Sequence, residues 1–308
     1  MRNRSNDNKI FIAQAILALL EECPNIKTLD LDFTFLNMEL FPLIHNLKLK
    51  SLAVKIQDSQ QLQCFGTYLT QQETLEKLKV NLLTTRQRYQ NHKQMQMKKK
   101  LKQITLLVPT NEYSRTHFGG FYQLIMKNNK VLTQLRLHNF SHSNRFIRLL
   151  NTTSVRDLSF SGHSNKLDNL FKQKFDKKIQ EMTYYHRFIR NIEKLMIYGE
   201  QHQTEPKYFD IDFQKWKRLK VFKSTARNNV AHRQDQYLLL RKNLISLFKS
   251  QSLEFASLMP IFHQSNDLQP WKVFEILADV ICIQTKINIK HLECLYLFHI
   301  YLQLGTIK

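Results

Sequence analysis

The hydrophobic residues of this chain recur in a short frame, L-x-x-L-x-L, whose last apolar positions alternate with polar residues. The first copy runs from Ile26 through Leu29 to Leu31, just after Cys23 and Pro24. Such alternation is typical of a β-strand with one buried face. The frame occurs ten times in all. The residues at its fourth position are Leu29, Leu52, Leu78, Ile104, Leu135, Leu158, Leu195, Phe222, Ala256 and Leu295. The sequence therefore predicts ten short strands.

Stretches with helical spacing separate several of these strands. They read FIAQAILALLEE, QLQCFGTYLTQQ, FGGFYQLIMKNN, NRFIRLLN and WKVFEILADVICIQ. A strand–helix unit repeated at about 20–29 residues is typical of a leucine-rich repeat solenoid. We therefore expect an α/β horseshoe, with a parallel concave sheet and convex helices, as a single domain over residues 1–308. An ordinary α/β or α+β domain stays open as an alternative, although strands buried on both faces are usually apolar throughout.

The stretch LLEECPNIKTLDLDF carries a resemblance to a known family. It resembles the repeats of ribonuclease-inhibitor-like and cysteine-containing, F-box-associated leucine-rich repeat proteins. The resemblance implies that Cys23 is a small buried residue at the end of a helix. It also implies that Pro24 stops this helix and turns the chain toward the strand, since proline cannot continue a helix.

Two segments stand out from the repeats. Residues 86–102 hold seven Lys and Arg residues and no acid, and we expect a basic segment on the rim between the third and fourth strands. Residues 166–190 form an insertion with apolar residues at helical spacing, which favours a convex-side helix. A further basic cluster surrounds Trp216, and its members are Lys215, Lys217, Arg218, Lys220 and Lys223.

Charge indicates the kind of partner more than the fold. Lys and Arg number 46 against 25 acidic residues, a formal net charge of +21, which favours an acidic protein, nucleic acid or anionic membrane. The four cysteines are sparse and irregularly spaced, so we expect a reducing, intracellular setting. The cytoplasm, including cytoskeletal assemblies, is predicted, with mitochondrion and nucleus left open. No apolar run is long enough for a membrane span.

The sequence holds no motif that predicts catalysis. Gly-rich phosphate loops, nucleophile elbows and zinc-protease motifs are missing, so we predict no enzyme, cofactor or small-molecule substrate. Asp30 and Asp32 are interpreted as a solvated acidic patch rather than an acid–base pair. Residues of zinc-binding type gather near the end without a zinc-site spacing, and they are Cys282, His291, Cys294 and His299.

The third, fifth and seventh positions of each frame should face the concave side, because side chains alternate along a strand. This face is predicted to begin acidic, become basic and polar, and end aromatic at Tyr296 and Phe298. The predicted partner-binding residues are Lys55, Lys77, Lys79, Arg136, His138, Lys194 and Tyr198, with Lys98, Lys99 and Lys100 on the rim.

Three functions follow from these patterns. The first is a non-enzymatic interaction scaffold or adaptor that binds an acidic protein through the concave face. The second is an RNA-associated ribonucleoprotein component, which the basic segments favour. The third, implied by the resemblance alone, is a substrate-recognition subunit of a ubiquitin ligase.

Overall fold

A computed structural model gives the structure of the chain. It describes residues 14–16, 18–31, 40–83, 101–108, 118–138, 150, 152–161, 189–198, 213–224, 233–258, 270–283, 289–295 and 299–303. These residues belong to two compact units, of which unit 1 comprises 1–139 with 152–154, and unit 2 comprises 140–151 with 155–308. The prediction of a single domain stays a prediction.

Unit 1 contains a parallel sheet whose strands pair in chain order. The strands are β1 (Thr28–Leu31), β2 (Ser51–Ile56), β3 (Lys77–Leu82), β4 (Gln103–Leu107) and β5 (Gln134–His138). Residues 14–16 and 18–22 are helical, and the further helices of this unit are α1 (Leu40–His45), α2 (Ser59–Gln71) and α3 (Phe118–Lys127). Parallel neighbours need a crossover connection, and helices fill that role between β1 and β2, β2 and β3, and β4 and β5.

Unit 2 repeats this arrangement. Its parallel strands are β6 (Asp157–Ser161), β7 (Lys194–Tyr198), β8 (Val221–Ser224), β9 (Phe255–Leu258) and β10 (His291–Leu295). The last strand, β11 (His299–Gln303), pairs antiparallel with β10. The helical elements are the 3₁₀ turn Phe213–Lys215, α4 (Arg233–Phe248) and α5 (Pro270–Ile283).

The strand register confirms the hydrophobic frame. In unit 1, Leu52 pairs with Leu29 on one side and with Leu78 on the other. The row continues through Ile104 to Leu135, as predicted. In unit 2 a matching row runs through the four residues Leu158, Leu195, Phe222 and Ala256. Within each unit the predicted α/β solenoid class, with parallel strands and intervening helices, is therefore confirmed.

The last frame was predicted in the wrong register. Ala256 pairs with Leu292 rather than with Leu295, so the frame starts at the buried Ile289. Cys294 consequently pairs with Leu258, the sixth position of its frame, and not with a residue at the third position as the sequence predicted. Apolar residues three apart fit the frame in either register, and pairing with β9 selects one of them. Tyr296 and Phe298 lie outside the described residues.

A repeated backbone bond fixes the start of strands β2 to β5 and β7 to β10. The carbonyl of Lys27 accepts hydrogen bonds from the N–H groups of Lys50, at 2.8 Å, and Ser51, at 3.0 Å. The Lys50 carbonyl accepts in the same way from Glu76 and Lys77, both at 2.9 Å. The corresponding carbonyls of later repeats, which repeat this pattern within each unit, belong to Glu76, Lys102, Arg156, Glu193 and Lys220. Each residue at the second frame position therefore locks the following repeat in register.

The helices cover the apolar face of the sheet. Asp58 is the N-cap residue of helix α2. Its carboxylate accepts a hydrogen bond from the Gln61 N–H at 2.8 Å and so satisfies one unpaired donor of the first turn. Its residues Phe65 and Tyr68 are buried and pack with Phe41 of α1, at ring-centroid distances of 5.8 Å from Phe41 to each. Aromatic contacts at this spacing add to the burial of apolar area.

Two further expectations need correction. The helix before β1 ends at Glu22, just ahead of Pro24 as predicted, but Cys23 is exposed rather than buried. Cys23 lies in the turn after the helix, where the Ile26 N–H donates a hydrogen bond to the Cys23 carbonyl at 3.2 Å. Helix α4 was not predicted, because its apolar residues do not keep to one face, and Leu238 is 63% exposed.

Candidate functional site

The outward positions of unit 1 form three parallel rows across its sheet. One row runs Thr28, Ser51, Lys77, Gln103 and Gln134. The next runs Asp30, Ala53, Lys79, Thr105 and Arg136. The third runs Lys55, Asn81, Leu107 and His138. We call these residues the unit 1 face, and it brings together five of the predicted binding residues.

The charges of the unit 1 face are accessible from outside. Lys77 and Lys79 are exposed, whereas Lys55 and Arg136 are half-buried among their neighbours. Lys79 and Arg136 share a row two strands apart, which places their backbones about 9.6 Å from one another. Asp30 on β1 is the one acidic residue among the described outward positions of this face. Asp32 lies outside the described residues. The unit 1 face therefore carries an excess of positive charge.

The pKa of His138 reflects first its burial and then the positive charge beside it. Burial lowers the pKa of His138 below its ordinary value, and the positive charge of Arg136 lowers it further. Both residues point to the same side of β5, because two positions along a strand bring side chains back to one face. At neutral pH, His138 therefore serves as an uncharged hydrogen-bonding group beside a fixed cation.

The outward side of unit 2 is more apolar and more covered. Ser159 and Ser161 were expected on an open concave face, but both are buried. Lys194 and Tyr198 lie half-buried on β7, and the Tyr198 hydroxyl lies 3.9 Å from the Met196 sulfur. Strand β6 is thus covered on both sides, a situation that alternation in the sequence does not predict.

The basic cluster around Trp216 divides between two locations in unit 2. The ammonium of Lys223 lies 4.8 Å from the centre of the Phe255 ring, a cation–π contact on the outward side of the sheet. In contrast, Lys217, Arg218 and Lys220 line a cleft beside the start of the strands. Trp216 itself is buried, so it anchors the cluster and is not a stacking surface.

Sequence reasoning missed a ladder of charges at the second frame position. Glu76 pairs with Lys102 at 3.0 Å, and the pKa of Glu76 is lowered by this hydrogen bond and by the charges of Lys102, Lys50 and Lys77. In unit 2, Arg156 pairs with Glu193 at 3.7 Å and Glu254 with Lys290 at 3.1 Å. The sequence does carry a signal for this ladder, because residues of opposite charge occupy the second frame position in adjacent repeats.

The remaining predictions concern the rim lysines, the insertion, metal binding and membrane spans. Lys98, Lys99 and Lys100, and residues 166–188 of the insertion, lie outside the described residues. Over the described ranges, no group of three His, Cys, Asp or Glu residues is placed to hold a metal ion. Nor does any helix in those ranges combine the length and apolar character that crossing a membrane requires.

Comparison with known proteins gives no family for this chain. No protein-family model matches it, and no curated protein matches its sequence. The repeated frame, the parallel sheet in chain order and the repeated backbone bond in each unit define the class, an α/β repeat protein of the solenoid type.

Proposed function

We propose that the protein is a non-enzymatic interaction scaffold whose unit 1 face binds an acidic surface of a partner protein. The excess of cations over acids on that face carries the proposal. Open sheet faces of solenoids are common binding surfaces, because neighbouring repeats align their side chains in rows. Lys79 and Arg136 occupy the central row, and Lys55 and Lys77 stand in the rows beside it.

A protein partner is favoured over single-stranded RNA by the side chains of this face. None of the outward positions described on β1 to β5 is Phe, Tyr or Trp. Proteins that bind single strands combine cations with aromatic platforms, on which bases stack with about 1–3 kcal/mol each. The cations of the unit 1 face alternate instead with Thr105, Gln103 and Asn81, groups that can hydrogen-bond to carboxylates and to a peptide backbone.

We propose in addition that the chain is related to ribonuclease-inhibitor-like and cysteine-containing leucine-rich repeat proteins. Ribonuclease-inhibitor-like and cysteine-containing repeats also combine a strand frame with a preceding Cys-Pro pair, and the helix here ends just before that pair. Cys23 is exposed, however, so it does not take the buried place that the resemblance implies. A role as the substrate-recognition subunit of a ubiquitin ligase would add a cullin adaptor to the proteins recovered with this chain.

The test is a charge reversal on the face with a matched reversal elsewhere in unit 1. Lys79→Glu with Arg136→Glu should abolish the recovery of partner proteins from nuclease-treated extract of the native cell. Lys127→Glu with Lys130→Glu changes the net charge equally at exposed positions beyond the sheet, and it should leave recovery unchanged. Both variants should keep the circular dichroism spectrum of the native chain.

The proposal is wrong if both double variants recover the same proteins as the native chain. Loss of the recovered proteins on nuclease treatment would identify a nucleic-acid partner instead. That outcome should be accompanied by binding to a short oligouridylate that weakens steeply with salt, because phosphate contacts release counterions. The contribution of Lys98, Lys99 and Lys100 stays a prediction, and their replacement by Gln should weaken binding without lowering thermal stability.

A further inference from the structure

A polar cleft of about 550 Å³ opens in unit 2 where its strands begin. Its charged lining comprises Lys217, Arg218, Lys220 and Lys290 together with Glu193 and Glu254. Lys220 directly precedes β8, and Glu193 and Glu254 hold the same position before β7 and β9. The volume lies within the range of about 300–1,000 Å³ that ligand sites occupy.

The turn that presents Lys217 and Arg218 is held firmly from below. Trp216 is buried, and its N–H bonds to the Phe213 carbonyl at 3.1 Å. Its carbonyl accepts from the Ser252 hydroxyl at 2.9 Å and from the Leu219 N–H at 3.3 Å. Phe213 in turn packs edge-on against Phe222, with 4.8 Å between ring centres. The two cations therefore project from a backbone that is ordered before any ligand binds, which reduces the entropy lost on binding.

The acids of the cleft form their ion pairs with residues other than these cations. Glu193 pairs with Arg156 and Glu254 pairs with Lys290, both away from Lys220, which stands between them in the strand order. In the part of the chain that the structure describes, Lys217, Arg218 and Lys220 form no ion pair. Three cations thus line one opening without an ion pair among the described residues, an arrangement that suits an anion.

The rest of the lining selects among anions. Among the described residues that line the cleft none is aromatic, so a nucleotide base finds no stacking surface there, and the side chain of Leu253 is buried in the core. Glu193 and Glu254 flank the cations and would repel a second phosphate of a nucleic acid or polyphosphate. Gln251 and Ser252 add polar groups at the rim. One phosphate group on an uncharged chain satisfies all of these features.

We propose that this cleft binds a single phosphate monoester carried on a protein side chain, such as a phosphoserine of a partner. Arg218 provides a planar fork for two phosphate oxygens, and Lys217 and Lys220 provide point charges. This site is separate from the unit 1 face, and it stands whether or not that face binds an acidic protein.

The experiment is calorimetric titration of the full chain with a glycine–serine peptide that contains one phosphoserine. The same peptide without phosphate, inorganic phosphate and a short oligouridylate are the comparison ligands. The test variant is Lys217→Gln with Arg218→Gln. A matched variant, Arg190→Gln with Lys242→Gln, removes the same charges from exposed residues of unit 2 that do not line the cleft.

We expect the phosphopeptide to bind more tightly than each comparison ligand. The test variant should bind it about tenfold more weakly or worse, because two charge-assisted hydrogen bonds are lost, while the matched variant binds normally. Lys79→Glu with Arg136→Glu should also leave this binding intact, which separates this site from the unit 1 face. Equal affinity for both peptides, no binding, stronger binding of oligouridylate, or equal loss in both Gln variants would each overturn the proposal.

Discussion

The side-chain oxygen of Asn128 accepts a hydrogen bond from the backbone N–H of Leu101, which lies 27 residues earlier and two residues before β4. The Asn128 amide nitrogen donates to the Leu124 carbonyl at 2.7 Å, so this buried side chain joins the end of α3 to the preceding repeat. Gln72 has a similar role, since its amide donates to the His45 carbonyl at 3.1 Å. Buried polar residues thus connect consecutive repeats of unit 1.

Replacing Asn128 by Ala should lower the free energy of unfolding by about 1–3 kcal/mol, because the buried N–H of Leu101 loses its acceptor. Chemical denaturation followed by circular dichroism measures the change. Asn129→Ala is the control, since Asn129 is the next residue in the chain and its side chain is half-exposed. Equal losses in the two variants would contradict the role given to Asn128.

Tyr68 supports the opposite prediction. Its hydroxyl is buried among Phe41 and Phe65, forms no hydrogen bond in the described part of the chain, and burial raises the pKa of its phenol. Tyr68→Phe should therefore keep or raise the free energy of unfolding, by up to about 1–2 kcal/mol, since an unsatisfied buried group is removed. A lower free energy of unfolding in Tyr68→Phe would instead show that the hydroxyl is hydrogen-bonded in solution.

Glu76 should make the stability of unit 1 depend on acid pH. Its pKa is lowered below the ordinary value of 4.5, chiefly by the hydrogen bond to Lys102. The folded form therefore holds its proton less tightly than the unfolded chain, and the stabilisation present above pH 4.5 disappears as the pH falls through the lowered pKa. The melting temperatures of the native chain and of Glu76→Gln should converge on acidification, and Glu73→Gln, which removes no ion pair among the described residues, is the control for the loss of one acidic charge.

His138 should act in the same direction at higher pH. Because its pKa is lowered in the folded chain, the unfolded chain takes up the proton first as the pH falls through about 6.5. The native chain should then lose stability relative to His138→Gln as the pH falls through about 6.5 toward the lowered pKa of the folded chain. Denaturation curves at several pH values test this, and parallel pH profiles of the two proteins would contradict it. Binding of an acidic partner should raise the pKa of His138 and be accompanied by proton uptake.

The sequence by itself determined the repeat architecture of each unit. Apolar residues at the fourth and sixth frame positions must be buried together, and the period of a strand leaves one arrangement in which they all are. The outward residues of the unit 1 face, including Lys79 and Arg136, followed from the same alternation.

Only the tertiary structure decided the features that depend on contacts between repeats. The register of β10 follows pairing with β9, because Leu292 and Leu295 fit the frame equally well. The burial of Ser159 and the exposure of Cys23 depend on which segments pack nearby, and local pattern holds no record of that packing. The cleft of unit 2 arises since Glu193 and Glu254 pair away from Lys220, a choice made by side chains more than thirty residues apart in sequence.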